Sequence, residues 1–298
     1  MKNILVLYYT QSGQLKDIAD NLVAPLQENC TIDYCQMEPE KPFPFPWSNN
    51  AFFNVFPETF SDQSVAMKPI AEEILNKDYD LVILAYQIWF LSPSIPAASF
   101  LNSTQGKQLL QNKKVVTVIG CRNMWIMAQE RLKEKLKRIN ADLVGNIVLR
   151  DRNPNHISVL TIVHWLFYGK KTRMFGFLPL PGVSDQDIKN TSVFGEILKT
   201  HVATANYDSL QSELIAKKAV EIKPFLLTVE KKATRIFGIW SNLITKNPAK
   251  RSLLLTFFNF YLWFAIWVVS PLVFLIYLLL YFFNAKSLQK EIKYYQSV

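Results

Sequence analysis

Five consecutive residues, Thr10-Gln11-Ser12-Gly13-Gln14, place hydroxyls, amides and a glycine where a short apolar run ends and a helical pattern begins. A turn of this composition at a helix N-terminus offers backbone N–H groups and the positive end of the helix dipole to a phosphate, without needing arginine. Gly13 permits positive φ and a close approach of the ligand. Taken alone, the segment is equally an N-cap turn. A second segment, Ala85-Tyr86-Gln87-Ile88-Trp89-Phe90-Leu91-Ser92-Pro93, sets aromatics where a planar ring could stack, with Tyr86 and Trp89 as the candidates. A third, Gly120-Cys121-Arg122-Asn123-Met124-Trp125, could offer backbone donors to the polar side of that ring. One phosphate cradle and two ring contacts describe a mononucleotide site. No G-x-G-x-x-G and no G-K-[ST] occurs, so dinucleotide and P-loop readings lose their main support.

These segments need a frame that brings them to one edge. Apolar, β-branched runs at 4–9, 31–35, 81–85, 115–119 and 143–149 alternate with helical patterns at 15–26, 66–76, 97–110 and 127–139. Five buried strands with four intervening helices predict an α/β fold, a doubly wound five-stranded parallel sheet. Ligands of such sheets sit beyond the carboxyl ends of the strands, where the strand order reverses.

Two regions look irregular. Residues 40–60 are crowded with proline and aromatics (Phe43, Phe45, Trp47, Phe52, Phe53, Phe56), too apolar for a solvent loop and too proline-rich for a helix. Residues 156–181 mix Trp165, Phe167, Tyr168, Phe175 and Phe177 with Lys170, Lys171 and Arg173, which fits a lid, a membrane-interface segment or ordinary core under an insertion.

A third departure is the stretch 253–283, about 31 residues without a charge, which reaches roughly 46 Å as a helix at ~1.5 Å per residue. The hydrocarbon core of a bilayer needs only ~20 residues. The surplus, with Ser270-Pro271 near the middle, leaves a kinked single span or a re-entrant hairpin. Lys250 and Arg251 precede it and Lys286, Lys290 and Lys293 follow, so charge selects no orientation. The expected organisation is a domain over 1–205 with aromatic insertions near 40–60 and 150–185, amphipathic basic helices over 206–251, a hydrophobic membrane segment over 252–284 and a basic tail over 285–298.

The formal net charge of +9 is compatible with nucleic acid or with anionic lipid. Much of it (Lys217, Lys218, Lys223, Lys231, Lys232, Arg235, Lys246) leads into the apolar stretch, a layout that suits membrane lipids, and no nucleic-acid recognition motif is present. Cys30, Cys35 and Cys121 lack metal-ligand spacing and are too few for a disulfide framework, so they are read as free thiols with no metal. The N-terminal run lacks the pattern of a signal peptide. The expected place is the cytoplasmic membrane, with the α/β domain on the cytoplasmic side.

With those three segments, residues 1 to about 150 resemble the flavodoxin-like flavoproteins. The resemblance implies that Thr10, Gln11, Ser12, Gly13 and Gln14 hold the phosphate of flavin mononucleotide (FMN). It also implies that Tyr86, Gln87, Ile88, Trp89 and Phe90, with Gly120, Cys121, Arg122, Asn123 and Trp125, border the isoalloxazine. The chain departs from that pattern at Leu15, where a second hydroxyl residue is usual, and at Arg122-Asn123, where small residues are common. Over most of its length, through Pro42-Phe43-Pro44-Phe45-Pro46-Trp47, Phe56-Pro57-Glu58-Thr59 and the run from Gly120 to Glu130, the chain resembles the DarA family of dialkylresorcinol-condensing enzymes. That resemblance implies a pathway to dialkylresorcinols and flexirubin-type pigments. There a ketosynthase partner joins two acyl chains, and the DarA-type protein aromatises the resulting lipid-like dialkyl cyclic dione.

The chemistry expected is hydride transfer from a ring carbon to the flavin while a base removes a proton next to a carbonyl. His156 and His164 are the candidate bases, each weighed against a structural role, with Tyr168 a weaker one; His201 reads as an exposed helix residue. Arg122 could hold a substrate enolate or stabilise reduced flavin, or be a surface ion pair. A membrane-associated NAD(P)H:quinone reductase and a flavodoxin-type electron carrier are the alternatives. The aromatics of 40–60 weigh against the carrier, which needs an exposed flavin edge.

Overall fold

The computed structural model describes residues 1–281 and 285–298 in full. Its strands are β1 (Lys2–Tyr8), β2 (Cys30–Gln36), β3 (Leu81–Trp89), β4 (Ser92–Pro93), β5 (Lys114–Cys121) and β6 (Asp142–Arg150). The sheet order is β2-β1-β3-β5-β6, all parallel, with two-residue β4 folding back antiparallel on the end of β3. Leaving β4 aside, this is the 2-1-3-4-5 order of the flavodoxin-like fold, whose switch point lies between β1 and β3. The expected doubly wound sheet is therefore present.

The helices are α1 (Gln14–Val23), α2 (Asn49–Asn54), α3 (Phe56–Phe60), α4 (Glu72–Leu75), α5 (Ile95–Asn102), α6 (Thr104–Leu110), α7 (Ile126–Arg138), α8 (Asn155–Tyr168), α9 (Asp185–Lys189), α10 (Ser192–Thr204), α11 (Leu210–Ala216), α12 (Pro224–Lys246), α13 (Arg251–Phe264) and α14 (Ser270–Gln296). α1 packs on α9 and α10, and α11 on β6; α5 and α12 pack on α7. The central strands are fully buried from Leu81 to Tyr86 and from Val115 to Ile119, as parallel strands covered on both faces must be.

Several local expectations change. The helix predicted over 66–76 shrinks to the single turn of α4, because Pro69 holds Lys68 out of the helical region and Met67 instead makes a bridge to Pro39. The helix predicted over 97–110 is two, divided at Ser103, whose extended backbone (φ −77°, ψ 160°) lets its hydroxyl cap α6 through Gly106 N–H. Residues 40–60 hold two short helices after all. Pro42, Pro44 and Pro46 lie before them, and Pro57 falls in the first turn of α3, where a missing N–H costs nothing. Residues 155–168 are a regular helix, α8, closed by Gly169 at φ 75°. β3 and β5 run on to Trp89 and Cys121, so residues expected in loops lie on strands.

The C-terminal part forms a second layer on the α7 side. α12 packs on α3, α7, α13 and α14. Phe56, Phe237 and Phe258 make a small aromatic core there, with the rings of Phe56 and Phe258 stacked at 3.8 Å. From Arg251 the chain is helical through α13, a π-helical turn at Ala265–Val269 and α14. At Ser270-Pro271 it therefore does not reverse: a π-helical turn runs directly into α14, and Pro271 falls in the first turn of that helix. The predicted stretch 253–283 includes Phe282 and Phe283, which lie outside the described residues. The expected tail, 285–298, is helical to Gln296, and Leu288 joins the main core.

Candidate functional site

A cavity of about 170 Å³ opens at the carboxyl ends of β1, β3 and β5, at the switch point. Its floor is Leu15 and Ile18 of α1; its rim includes Gln11, Ser12 and Gln14, then Gln87, Ile88 and Trp89, then Gly120, Cys121 and Arg122. The three segments singled out in the sequence thus meet in one place. A neighbouring cavity of about 250 Å³, lined by Tyr9, Thr10, Gln36 and Glu38, shares Gln11 and Phe45 with the first.

The turn after β1 is built as expected around Gly13 (φ 86°), whose N–H donates to Thr10 Oγ1 at 3.1 Å. A side chain at Gly13 would meet open space, so the backbone angle alone demands glycine there. The amides of Lys16 and Asp17 bond to Gly13 O, while those of Gln14 and Leu15 make no hydrogen bond among the described residues and remain available. The side chains of this turn are partly engaged within the protein. Gln11 accepts from Trp47 Nε1 at 3.1 Å, and Gln14 pairs with both backbone groups of Val183, at 2.9 and 3.0 Å. Gln14 is thereby a clamp for the segment at Val183, and the Ser12 hydroxyl, on the cavity, makes no hydrogen bond among the described residues.

Three walls were not legible in the sequence. α8 contributes Ile162, Trp165 and Leu166. Gly182 (φ 78°) passes so close that a Cβ would sit 2.7 Å from both Gln14 Oε1 and Trp165. Phe45 closes the side. Trp47 anchors that cover, its N–H donating to Leu166 O at 2.9 Å, and Phe43 and Trp47 pack edge-on against Trp89 at 5.1 and 5.5 Å. The detectable signals are the aromatic densities of 40–60 and 156–181; the pairing of Gln14 with Val183 spans 169 residues and has no local signature.

Several candidates lie elsewhere. Tyr86 is fully buried, because β3 continues through it and turns its side chain toward α7, where its hydroxyl donates to Gln129 Oε1 at 2.7 Å. Gln129 donates to Thr117, and Thr117 to Asn146, each at 3.0 Å, so Tyr86 belongs to a polar chain inside the core and does not stack on a cavity ring. Phe90 points away and packs against Phe52 and Phe56. Trp125 is 2% exposed, at the start of α7. Asn123 donates to Asn155 Oδ1 at 2.6 Å. Neither candidate histidine lines the cavity. His156 Nε2 lies 3.2 Å from Ile266 O and packs on Trp267, while His164 stacks on exposed Tyr168 and reaches Thr172. His201, expected at the surface, is buried, with Nδ1 2.6 Å from Asn206 O.

Arg122 does line the cavity. It donates to Asn155 Oδ1 at 2.8 Å, and the protein around its guanidinium pulls its pKa down to about 10, against the opposing field of Asp151. Burial pushes the neighbouring Cys121 thiol far above its ordinary value, so it stays protonated. Gln87 Oε1 is buried at the cavity wall with no hydrogen-bond partner among the described residues. Such an orphan is costly unless a bound donor satisfies it.

One further buried carboxyl lies behind this site, at the start of α7. Glu230 of α12, 1% exposed, accepts from Met127 N–H at 2.8 Å at the N-terminus of α7, directly after the third cavity segment. Its burial pushes the carboxyl up to about 8, while the backbone amides of Met127, Trp125 and Ile126 pull the other way.

No family model matches the chain, and no curated protein matches it. Among solved structures, a flavoprotein of Lactobacillus acidophilus in complex with FMN is 16% identical, covering 50% of this chain and 93% of that one at a TM-score of 0.40. An azoreductase of Bacillus anthracis is 10% identical, covering 65% and 100% at 0.34. RosB with its bound intermediate 8-demethyl-8-formylriboflavin-5'-phosphate is 15% identical, covering 74% and 88% at 0.34. The fold assignment is carried by the chain's own strand order, which is flavodoxin-like.

Proposed function

We propose that the protein is a membrane-associated, FMN-dependent oxidoreductase that oxidises a lipid-like 2,5-dialkylcyclohexane-1,3-dione to the 2,5-dialkylresorcinol. The observation that carries the flavin reading is the cavity at the switch point: a glycine turn at the foot of α1, Trp89 on its wall, and the unpartnered amide oxygen of Gln87, which suits a ring N–H. The residues present fit the group. Gln11, Ser12 and Gly13 with the first amides of α1 would hold the phosphate, and Gln87, Trp89, Gly120 and Cys121 would border the ring. Bound there, FMN supplies a two-electron acceptor.

Aromatisation removes two hydrogens from the dione ring, one as hydride and one as a proton. A cyclic 1,3-dione is a vinylogous acid and ionises readily, so a cation facing the cavity favours its enolate. Arg122 is that cation, fixed by Asn155 and partly stripped of water, which strengthens its pull on an anion. Phe45, Trp165 and Leu166 supply an apolar enclosure for alkyl substituents and keep water away. The site's connection to the apolar helix supports a lipid-like substrate. α8 lines the cavity with Ile162 and Trp165, and at its other end His156 meets Ile266. The helix over Pro248–Tyr281 is long and apolar enough to cross a membrane. A ketosynthase would supply the dione.

The test is to incubate FMN-loaded protein with a 2,5-dialkylcyclohexane-1,3-dione while following flavin bleaching and resorcinol formation by mass. Bleaching with stoichiometric resorcinol is expected. Colourless protein that takes up no FMN overturns the flavin reading. Bleaching by NADPH and turnover of a quinone, without resorcinol, replaces the substrate.

A further inference from the structure

The long C-terminal helix is held by the globular part at both ends. At its start, Arg251 donates to Glu58 at 2.8 Å and to Asn54 O at 2.6 Å, and Leu255 and Phe258 are buried. Beyond its apolar stretch, Glu291 pairs with Lys231 at 2.9 Å. Gln211 donates to Gln296 O at 2.6 Å, Gln296 Nε2 to Val220 O at 3.1 Å, and Lys133 to Ser297 O at 2.7 Å. Between the ends, Ile266 and Trp267 touch His156, and Phe274 and Tyr277 pack on Phe225 of α12. A helix that crossed a bilayer would carry the residues after it to the far side, ~30 Å of hydrocarbon away. Those residues are docked on the same domain as the residues before it.

From Phe257 to Leu280 every exposed side chain of this helix is apolar, with Phe260 71% exposed and Leu279 75%. Where it meets α12 a groove of about 270 Å³ is lined by Lys232, Arg235, Tyr277 and Leu288, with Lys231 and Glu291 paired to each other in its wall, which leaves an excess of two cations. Lys232 and Arg235 are exposed and pair with no carboxylate among the described residues. Ile236, Ile239 and Leu243 of α12 are exposed too, so that helix sets apolar side chains beside cations, the pattern of an interfacial helix.

Resting on the membrane-associated reading above, we propose that this face is a monotopic anchor for an anionic leaflet. The apolar helix lies within one leaflet, the α/β domain and the C-terminal tail stay on the same side, and Lys232 and Arg235 meet lipid phosphates. Charge complementarity fixes the choice of lipid: a cationic groove borders an uncharged surface, which anionic headgroups above acyl chains match.

Two measurements on the full-length protein test this. In flotation with phosphatidylglycerol or phosphatidylcholine vesicles, the protein should rise with the first, and the K232E/R235E double variant should lose on the order of tenfold in binding. In sealed membrane vesicles of one orientation, an impermeant maleimide should label Ser297→Cys and Lys107→Cys from the same side, with the wild type reporting background from its own thiols. A tail protected while Lys107→Cys is labelled overturns the topology and leaves membrane association standing. Equal flotation on both lipids, unchanged in the double variant, overturns the anionic contact. No flotation on either vesicle removes the membrane reading and the anchor together.

Discussion

The interior beneath the sheet and the interior beneath the C-terminal helices are built from different side chains. The first is mostly aliphatic, with Ile4, Leu5, Val82, Ile83, Val116 and Ile119 between helices that follow them closely in sequence and aromatics such as Tyr86 and Trp125 at its edge toward α7. The second is aromatic, and its central rings, Phe56, Phe237 and Phe258, come from segments about 180 and 200 residues apart. The first positions the cavity-forming turns. The second brings Glu230 to the start of α7 and holds the start of the long helix. The comparison teaches that the site is framed by local periodicity and then trimmed by long-range aromatic contacts.

The largest test of that division is Phe258→Ala. Its ring is fully buried and stacked on Phe56, so its removal should cost about 3–5 kcal/mol. If the two interiors are distinct, the loss should appear as hydrogen exchange and proteolysis in α12 and α13, with the sheet amides still protected. Uniform deprotection would merge them into one cooperative unit.

Glu230 sharpens the link between them. Its folded pKa, about 8, lies above the unfolded value of 4.5, so between those limits the folded state holds a proton that the unfolded state does not. Stability should therefore fall by a few kcal/mol as pH rises from about 5 to 8 and level off above that. Glu230→Gln should flatten the profile, as read from denaturation midpoints across that range. An unchanged slope would assign the pH dependence to other groups.

Smaller effects concern the cavity. Gly182→Ala forces a methyl against Gln14 and Trp165 at a positive φ, and should weaken FMN binding by roughly tenfold, or about 1.4 kcal/mol, in a flavin-fluorescence titration. Arg122→Gln should raise KM for the dione more than it lowers kcat, since a cation that holds an enolate acts already in the ground state. The smallest change is expected for His164→Ala. That ring lies against Tyr168, off the cavity, so turnover should stay within about twofold, whereas a general base would cost ~100-fold.

Much of the frame is legible in the sequence. Five strands declare themselves because parallel strands covered on both faces must be continuously apolar. Gly13 declares itself because the turn from a strand into a helix calls for a residue that tolerates positive φ, which it adopts at 86°. The errors came from element ends. Extending β3 by four residues moved Tyr86 from a loop into the core and left Gln87 on the cavity, since successive strand residues face opposite sides. The candidate histidines lie off the cavity for a related reason: the aromatic segment carrying them is a helix, and only its Ile162, Trp165 and Leu166 positions reach the cavity.

The amino-acid order alone determined the sheet, the three turns that meet at its edge and the apolar stretch near the C-terminus, because each is written in spacings of a few residues. Only tertiary structure decided that Gln14 would clamp Val183, that Glu230 would sit at α7, and that both ends of the apolar helix would return to one domain. Those outcomes depend on which distant side chains exclude water together, and that selection has no period along the chain.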